Sequence, residues 1–185
     1  MKGKLIIGLL IVGIVLFGWV QFFYLPKMDA AVEQEQLEQL EPETHQFSWV
    51  LKYENSYMGA AGNTLNLIGD LPMSDIPKTF AQDPETFRFT INYEKGIDEI
   101  GASRVEKAIL YNATAVFTLI KNMETVEFHF SDKKFTVTRK RVNDWFGEDI
   151  SSFIDEQIFE EKVQQPIINN EQLTEWFNAY VGGES

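Results

Sequence analysis

An α+β domain carried by one N-terminal transmembrane helix is the fold class this sequence predicts, and three observations predict it. Leu5–Tyr24 is an apolar run without a charge, the chain beyond residue 46 shows both period-two and helical apolar patterns, and 15 Phe, 6 Tyr and 4 Trp supply a core. The patterned segments read strand, helix, strand, helix, strand, strand, helix, with further helices at the end. That order packs helices against a mainly antiparallel sheet of about four strands.

The apolar run LIIGLLIVGIVLFGWVQFFY has Gln21 as its only strongly polar side chain. At about 1.5 Å per residue it spans roughly the 30 Å of a bilayer's hydrocarbon layer. Gly8, Gly13 and Gly18 would weaken a helix in water but are common in membrane helices, and Trp19 and Tyr24 suit the interfacial belt. Lys2 and Lys4 precede the run and only Lys27 closely follows it, so the positive-inside rule leaves the N-terminus cytoplasmic and residues 25–185 extracytoplasmic, at the cell membrane. The run exceeds the apolar core of a cleaved signal peptide, and Ala30 and Ala31 make a poor small-x-small site after Met28 and Asp29. An uncleaved signal anchor is expected, with the lipid bilayer as the partner of Leu5–Tyr24.

Four segments follow from composition: residues 1–25 as cytoplasmic tip and anchor, 26–46 as an acidic stalk, 47–150 as the α+β domain and 151–185 as a C-terminal helical extension. Residues 29–46 hold six acids and neither Lys nor Arg, which predicts a polar helical spacer. Val32, Leu37 and Leu40 are too few for a coiled coil. The absence of cysteine excludes disulfides, thiolate metal sites and a lipid-bearing cysteine. A net charge of −12 argues against nucleic acid as a partner and favours a solvated domain held off an anionic lipid surface.

Phe47, Trp49, Leu51 and Tyr53 alternate with Ser48, Val50 and Lys52, mostly the period-two pattern of a strand, so the first strand is expected there. Tyr57–Pro72 reads as a turn and a short helix stopped near Gly69 and Leu71-Pro72. In Thr86–Tyr93 the residues Phe87, Phe89, Ile91 and Tyr93 share one face of a strand. Ser103 with Glu106 forms a capping box for a long helix with Val105, Ile109, Val116 and Ile120 on its apolar stripe, ending near Asn122. Val126–Phe130 and Phe135–Val137 follow as a hairpin joined by Ser131–Lys134, with Val126, Phe128 and Phe130 inward. A helix from Arg139 or Lys140 carries Val142, Trp145 and Phe146 and stops at Gly147. Ser152–Val163 predicts another helix, ended by Pro166. A last one runs from Glu171 to Val181, with Asn170 before it, Gly182-Gly183 after it and Leu173, Trp176, Phe177 and Tyr180 on its apolar face.

Tyr57-Met-Gly59, Leu71-Pro72, Thr90–Tyr93, Asn112–Asn122, Phe135–Arg139 and Trp145–Gly147 together resemble family 4825 of the bacterial domains of unknown function, over roughly residues 50–150. The resemblance implies an extracytoplasmic module of mostly Gram-positive bacteria, attached to a lipoprotein signal or membrane helix and sometimes to antibiotic-sensing membrane metallopeptidases. It implies a sensory or accessory role and no catalytic residues. This chain departs from the family's lipoprotein-type members by lacking the lipid-bearing cysteine, and it has no metallopeptidase portion.

His45 and His129 are the only histidines, at no short metal-ligand spacing, so no metal and no cofactor is expected. His129 alternates with Phe128 and Phe130 and should project with Glu127 from the polar face of the sheet as an exposed histidine. There is no G-x-S-x-G elbow, and the carboxylate pairs Glu148-Asp149, Asp155-Glu156 and Glu160-Glu161 suit solvated helix faces. No catalytic residue is assigned. The candidate binding residues are Tyr57, Asn112, Arg139, Trp145, Trp176 and Phe177. Asn112, inside the apolar central helix, is expected to bond a neighbouring backbone, and Arg139 to pair with a carboxylate such as Asp144. Lys133, Lys134, Lys140 and Arg141 form a basic island that could receive an acidic partner, although a solvated hairpin tip explains it as well. The expected function is non-catalytic sensing or protein or ligand binding by a single-pass anchored module. The alternatives are a hydrolase of envelope polymers and a structural subunit of a membrane complex, touching another envelope protein through the anchor or through Trp176, Phe177 and Tyr180.

Overall fold

The computed structural model describes residues 2–181 and divides the chain into two compact units, Met1–Glu38 and Gln39–Ser185. In the first unit, α1 (Lys2–Trp19) continues through a wider π turn, Val20–Tyr24, into α2 (Leu25–Glu38). The π turn has a cause in sequence. Pro26 lacks an N–H and its ring clashes with the carbonyl four residues back, and the wider turn, in which Leu25 N–H reaches the Val20 carbonyl, shifts the register just ahead of it. Leu9, Phe17 and Phe22 are exposed on this helix, Phe22 by 78%. It is long and apolar enough to cross a membrane.

The second unit holds a four-stranded sheet in the order β1-β2-β3-β4: Lys78–Asp83, Arg88–Tyr93, Thr125–His129 and Lys134–Thr138. β1–β2 and β3–β4 are antiparallel hairpins, while β2 and β3 run parallel, with Ile91 opposite Phe128. A parallel pair needs a crossover, which α4 (Ile97–Ile100) and α5 (Ala102–Leu119) supply. The remaining helices are α3 (Ala61–Asp70), α6 (Arg139–Phe146), α7 (Glu156–Phe159), α8 (Gln165–Ile168) and α9 (Leu173–Val181). One hydrophobic core unites Phe89, Ile91, Val126, Phe128 and Val137 of the sheet with α5 and with Phe153, Phe159, Trp176 and Tyr180 of the C-terminal region. Every residue from Ala108 to Leu119 is buried, the signature of a helix covered all round.

Several expectations hold. The short helix before Leu71-Pro72, the β3–β4 hairpin with Val126, Phe128 and Phe130 buried, and the helix from Arg139 stopped by Gly147 at φ 69° all form. Others are corrected. The stalk is helical only to Glu38, and residues 39–46 pack into the second unit: Gln39 and His45 are buried, Gln46 N–H donates to Gln39 Oε1 at 3.0 Å, and Glu41 and Glu43 pair at 2.8 Å with Arg104 and Lys107 of α5.

Phe47–Tyr53 is not a strand but two 3₁₀ turns, Phe47–Trp49 and Leu51–Tyr53. The burial period there is three, with Phe47 and Val50 inside and Phe47 stacked 3.8 Å from Phe159, while Trp49 is exposed. β1 takes the expected strand's place in the sheet, and its single large apolar residue, Phe80, hides it in the sequence. Phe87 does not share the face of Phe89: its φ of 52° turns it outward, 41% exposed, at the end of a turn in which Asp83 accepts from Glu85 and Thr86.

The long helix starts at Ala102, not after a Ser103 cap. Gly101, at φ 105°, joins it to α4, whose Ile97 N–H donates to Asp132 at 3.1 Å, and the helix ends at Leu119 rather than near Asn122. The helix expected over Ser152–Val163 is interrupted. Ile150–Ile154 is 3₁₀, and Asp155 caps α7 by accepting from Gln157 and Ile158 N–H. That helix then runs through Pro166 by the device used at Pro26, a π turn at Glu160–Gln164 just before the proline. α9 begins at Leu173 because Asn170 and Gln172 adopt positive φ. The expected stop at Gly182-Gly183 lies outside the described residues.

Candidate binding groove

Three members of the basic island, Lys134, Lys140 and Arg141, line a groove of about 560 Å³ between β4, α6 and the end of α9, whereas Lys133 lies outside it, over the Phe135 ring. Alternation in Lys134-Phe-Thr-Val-Thr138 builds its floor: Phe135 and Val137 are buried, whereas Lys134, Thr136 and Thr138 face outward. The chain then turns directly into α6. Thr138 Oγ1 caps it by accepting from Arg141 N–H at 3.4 Å, which places Lys140 and Arg141 in its first turn and on the groove wall. Arg141 Nη1 donates to the Thr136 carbonyl at 3.3 Å and to the Tyr180 carbonyl at 3.4 Å, tying strand to α9. Lys140 pairs with Asp144 at 2.5 Å, largely exposed on both sides. Lys134 has no ion-pair partner among the described residues. Three cations therefore meet one carboxylate on a concave surface of a chain whose net charge is −12. Such a surface can hold an anion.

The other candidate residues are not brought together. Tyr57 is 69% exposed in the turn before α3. Asn112 is buried and donates to the Pro72 carbonyl at 2.9 Å, as expected. Arg139 does not pair with Asp144. It is buried at the start of α6, over the Phe117 ring, and donates to the Met123 carbonyl at 2.8 Å and the Ile120 carbonyl at 2.7 Å. It thereby closes the C-terminal end of α5, and burial lowers its pKa. Trp145 is half-buried, its ring parallel to Trp176 at 5.9 Å, and the two line a smaller hollow of about 330 Å³ with Lys162, Pro166 and Gln172. Trp176, Phe177 and Tyr180 are core residues, so they do not form a contact surface.

His129 is also not freely exposed. On the outer face of the sheet its Nε2 meets Glu127 Oε2 at 3.0 Å and its Nδ1 meets Asn92 at 3.2 Å, while Arg88 and Thr90 hold Glu127 from β2. The parallel register places Asn92 opposite His129 and Thr90 opposite Glu127, a pairing that the strands considered singly do not reveal. Among the described residues no cluster of three or more His, Asp or Glu is arranged for a metal ion. Within the groove, sequence reasoning identified the cations and missed Thr136, Thr138 and Val181. The outward threonines were legible as the polar phase of β4, but the arrival of α9 beside them was not.

Residues 50–139 match the model of a domain of unknown function, DUF4825, the family that the sequence motifs resemble. No curated protein and no solved structure matches the chain. The matched segment contains the sheet, α3, α4 and α5 and ends at Arg139, so the groove straddles its end: Lys134–Thr138 lie inside it, Lys140, Arg141 and Val181 beyond.

Proposed function

We propose that the protein is a single-pass module whose domain stands on the outer side of the cell membrane and acts by binding an anionic partner, without bond chemistry. The observation that carries this reading is the convergence of Lys134, Lys140 and Arg141 on one concave groove in an otherwise acidic molecule. Opposite charge in a concave site raises both encounter rate and selectivity. The anchor reading is supported by the helix through Leu5–Tyr24, and its orientation by Lys2 and Lys4 before the run.

The full chain in phosphatidylcholine nanodiscs, titrated with fluorescent polyglutamate and polylysine, tests the proposal. Polyglutamate is expected to bind in a salt-sensitive way, and the pair K134E/K140E to weaken it by about tenfold or more at an unchanged melting temperature. Equal binding of polyglutamate by the parent and the variant overturns it.

A further inference from the structure

The anion-binding reading of the groove is the basis of a narrower statement: we infer that the partner is an extended acidic peptide, added as a fifth strand along the outer edge of β4. β4 ends the sheet. The phase of its ladder follows from two bonds, Phe130 N–H to the Lys133 carbonyl and Arg139 N–H to the Glu124 carbonyl, which turn the odd-numbered backbone groups of this strand toward β3. The backbone groups of Lys134, Thr136 and Thr138 therefore point away from the sheet. Of these, the Thr136 carbonyl meets Arg141 at 3.3 Å, and a carbonyl has a second lone pair for an incoming N–H. The Thr136 N–H has no partner among the described residues.

An unpaired strand edge is a template for strand addition. Lysine on an edge also guards against indiscriminate pairing, and two such cationic edges repel, which disfavours a second copy of this chain as the added strand. The same charges select an acidic one. Lys134 stands at one end of the edge and Lys140 and Arg141 just past the other, so carboxylates at both ends of the incoming segment meet cations while its backbone pairs with Thr136 between them. The segment this edge fits alternates acids with threonine or valine.

The test uses the full chain in phosphatidylcholine nanodiscs and a labelled peptide of about ten residues alternating Glu and Thr. Two further forms carry N-methyl groups on one or the other set of alternate amides, and inorganic phosphate is tried as a competitor. One N-methylated form is expected to bind about tenfold or more weakly and the other within about twofold of the parent peptide, because only one set faces the ladder. K134E/K140E is expected to weaken the parent peptide similarly and to accept a Lys–Thr peptide instead. If both N-methylated forms bind like the parent, strand addition is overturned while the anion site stands. Phosphate binding without any peptide binding also overturns the inference and leaves a small-anion site. Peptide binding indifferent to K134E/K140E overturns the inference and the proposed function together.

Discussion

Arg139 and Asp144 are five residues apart, a spacing at which side chains on a helix do not face each other, whereas Lys140 and Asp144 are four apart and pair. That geometry leaves Arg139 to the backbone carbonyls at the end of α5. His45 is a second residue whose role lies in what it touches. The Asp70 carbonyl can only accept, so Nε2 carries the proton at 2.9 Å, and Nδ1 accepts from the Tyr111 hydroxyl at 2.8 Å. The ring is neutral, and burial pulls its pKa from 6.5 down to about 4, against a weaker upward pull from Asp70. Because the folded value lies below the unfolded one, the unfolded chain takes up the proton first as pH falls. Stability present above about pH 6.5 is therefore lost progressively toward about pH 4, by at most about 3 kcal/mol. Urea midpoints measured across that range should fall, and His45→Gln should flatten the slope; an unchanged slope would assign it to carboxylates.

At the scale of elements, legibility followed covering. β3, β4 and α6 could be read because one face is buried and the alternation or capping is local, with Thr138 and Gly147 at the two ends of α6. α5 was read as a stripe because its second covering layer, residues 150–181, is remote in sequence. Phe47–Tyr53 and β1 exchanged roles because an apolar alternation in four aromatic and aliphatic residues outweighed a strand with one. Pro166 misled because proline signals a break, and a preceding π turn absorbs the missing bond there as it does at Pro26. α9 gives the element-scale prediction. Trp176 is 1% exposed and packs against Trp145, Phe146 and Tyr180, so Trp176→Ala should cost about 3–5 kcal/mol of stability. A chemical melt of the full chain checks this, and an unchanged midpoint would return the residue to the surface.

For the whole molecule, the long apolar N-terminal helix, the α+β class and the cations of the groove were legible, since hydropathy length, periodicity and charge are properties of adjacent residues. The groove itself was not, because β4, α6 and α9 meet through bonds such as Arg141 to the Tyr180 carbonyl that span 39 positions. Orientation belongs to this scale too. With an impermeant maleimide on intact cells, Glu85→Cys, in the exposed β1–β2 turn, should be labelled and Lys2→Cys should not. The reverse pattern would place the domain in the cytoplasm.

The clasp at residues 39–46 decides how the domain bears load. Tension along the chain entering at Gln39 first meets the Gln46 N–H on Gln39 Oε1 and the Met73 N–H on the Leu40 carbonyl, both at 3.0 Å, then Glu41 and Glu43 on Arg104 and Lys107 of α5, the Gln164 amide on the Pro42 and His45 carbonyls at 2.9 and 2.7 Å, and His45 against Tyr111. These contacts engage α5, the π turn at Glu160–Gln164 and the loop after α3, and none is to a strand, so a pull must break several together before any strand is peeled. The same arrangement makes residues 39–46 the part of the domain that first bears a pull on the chain ahead of Gln39.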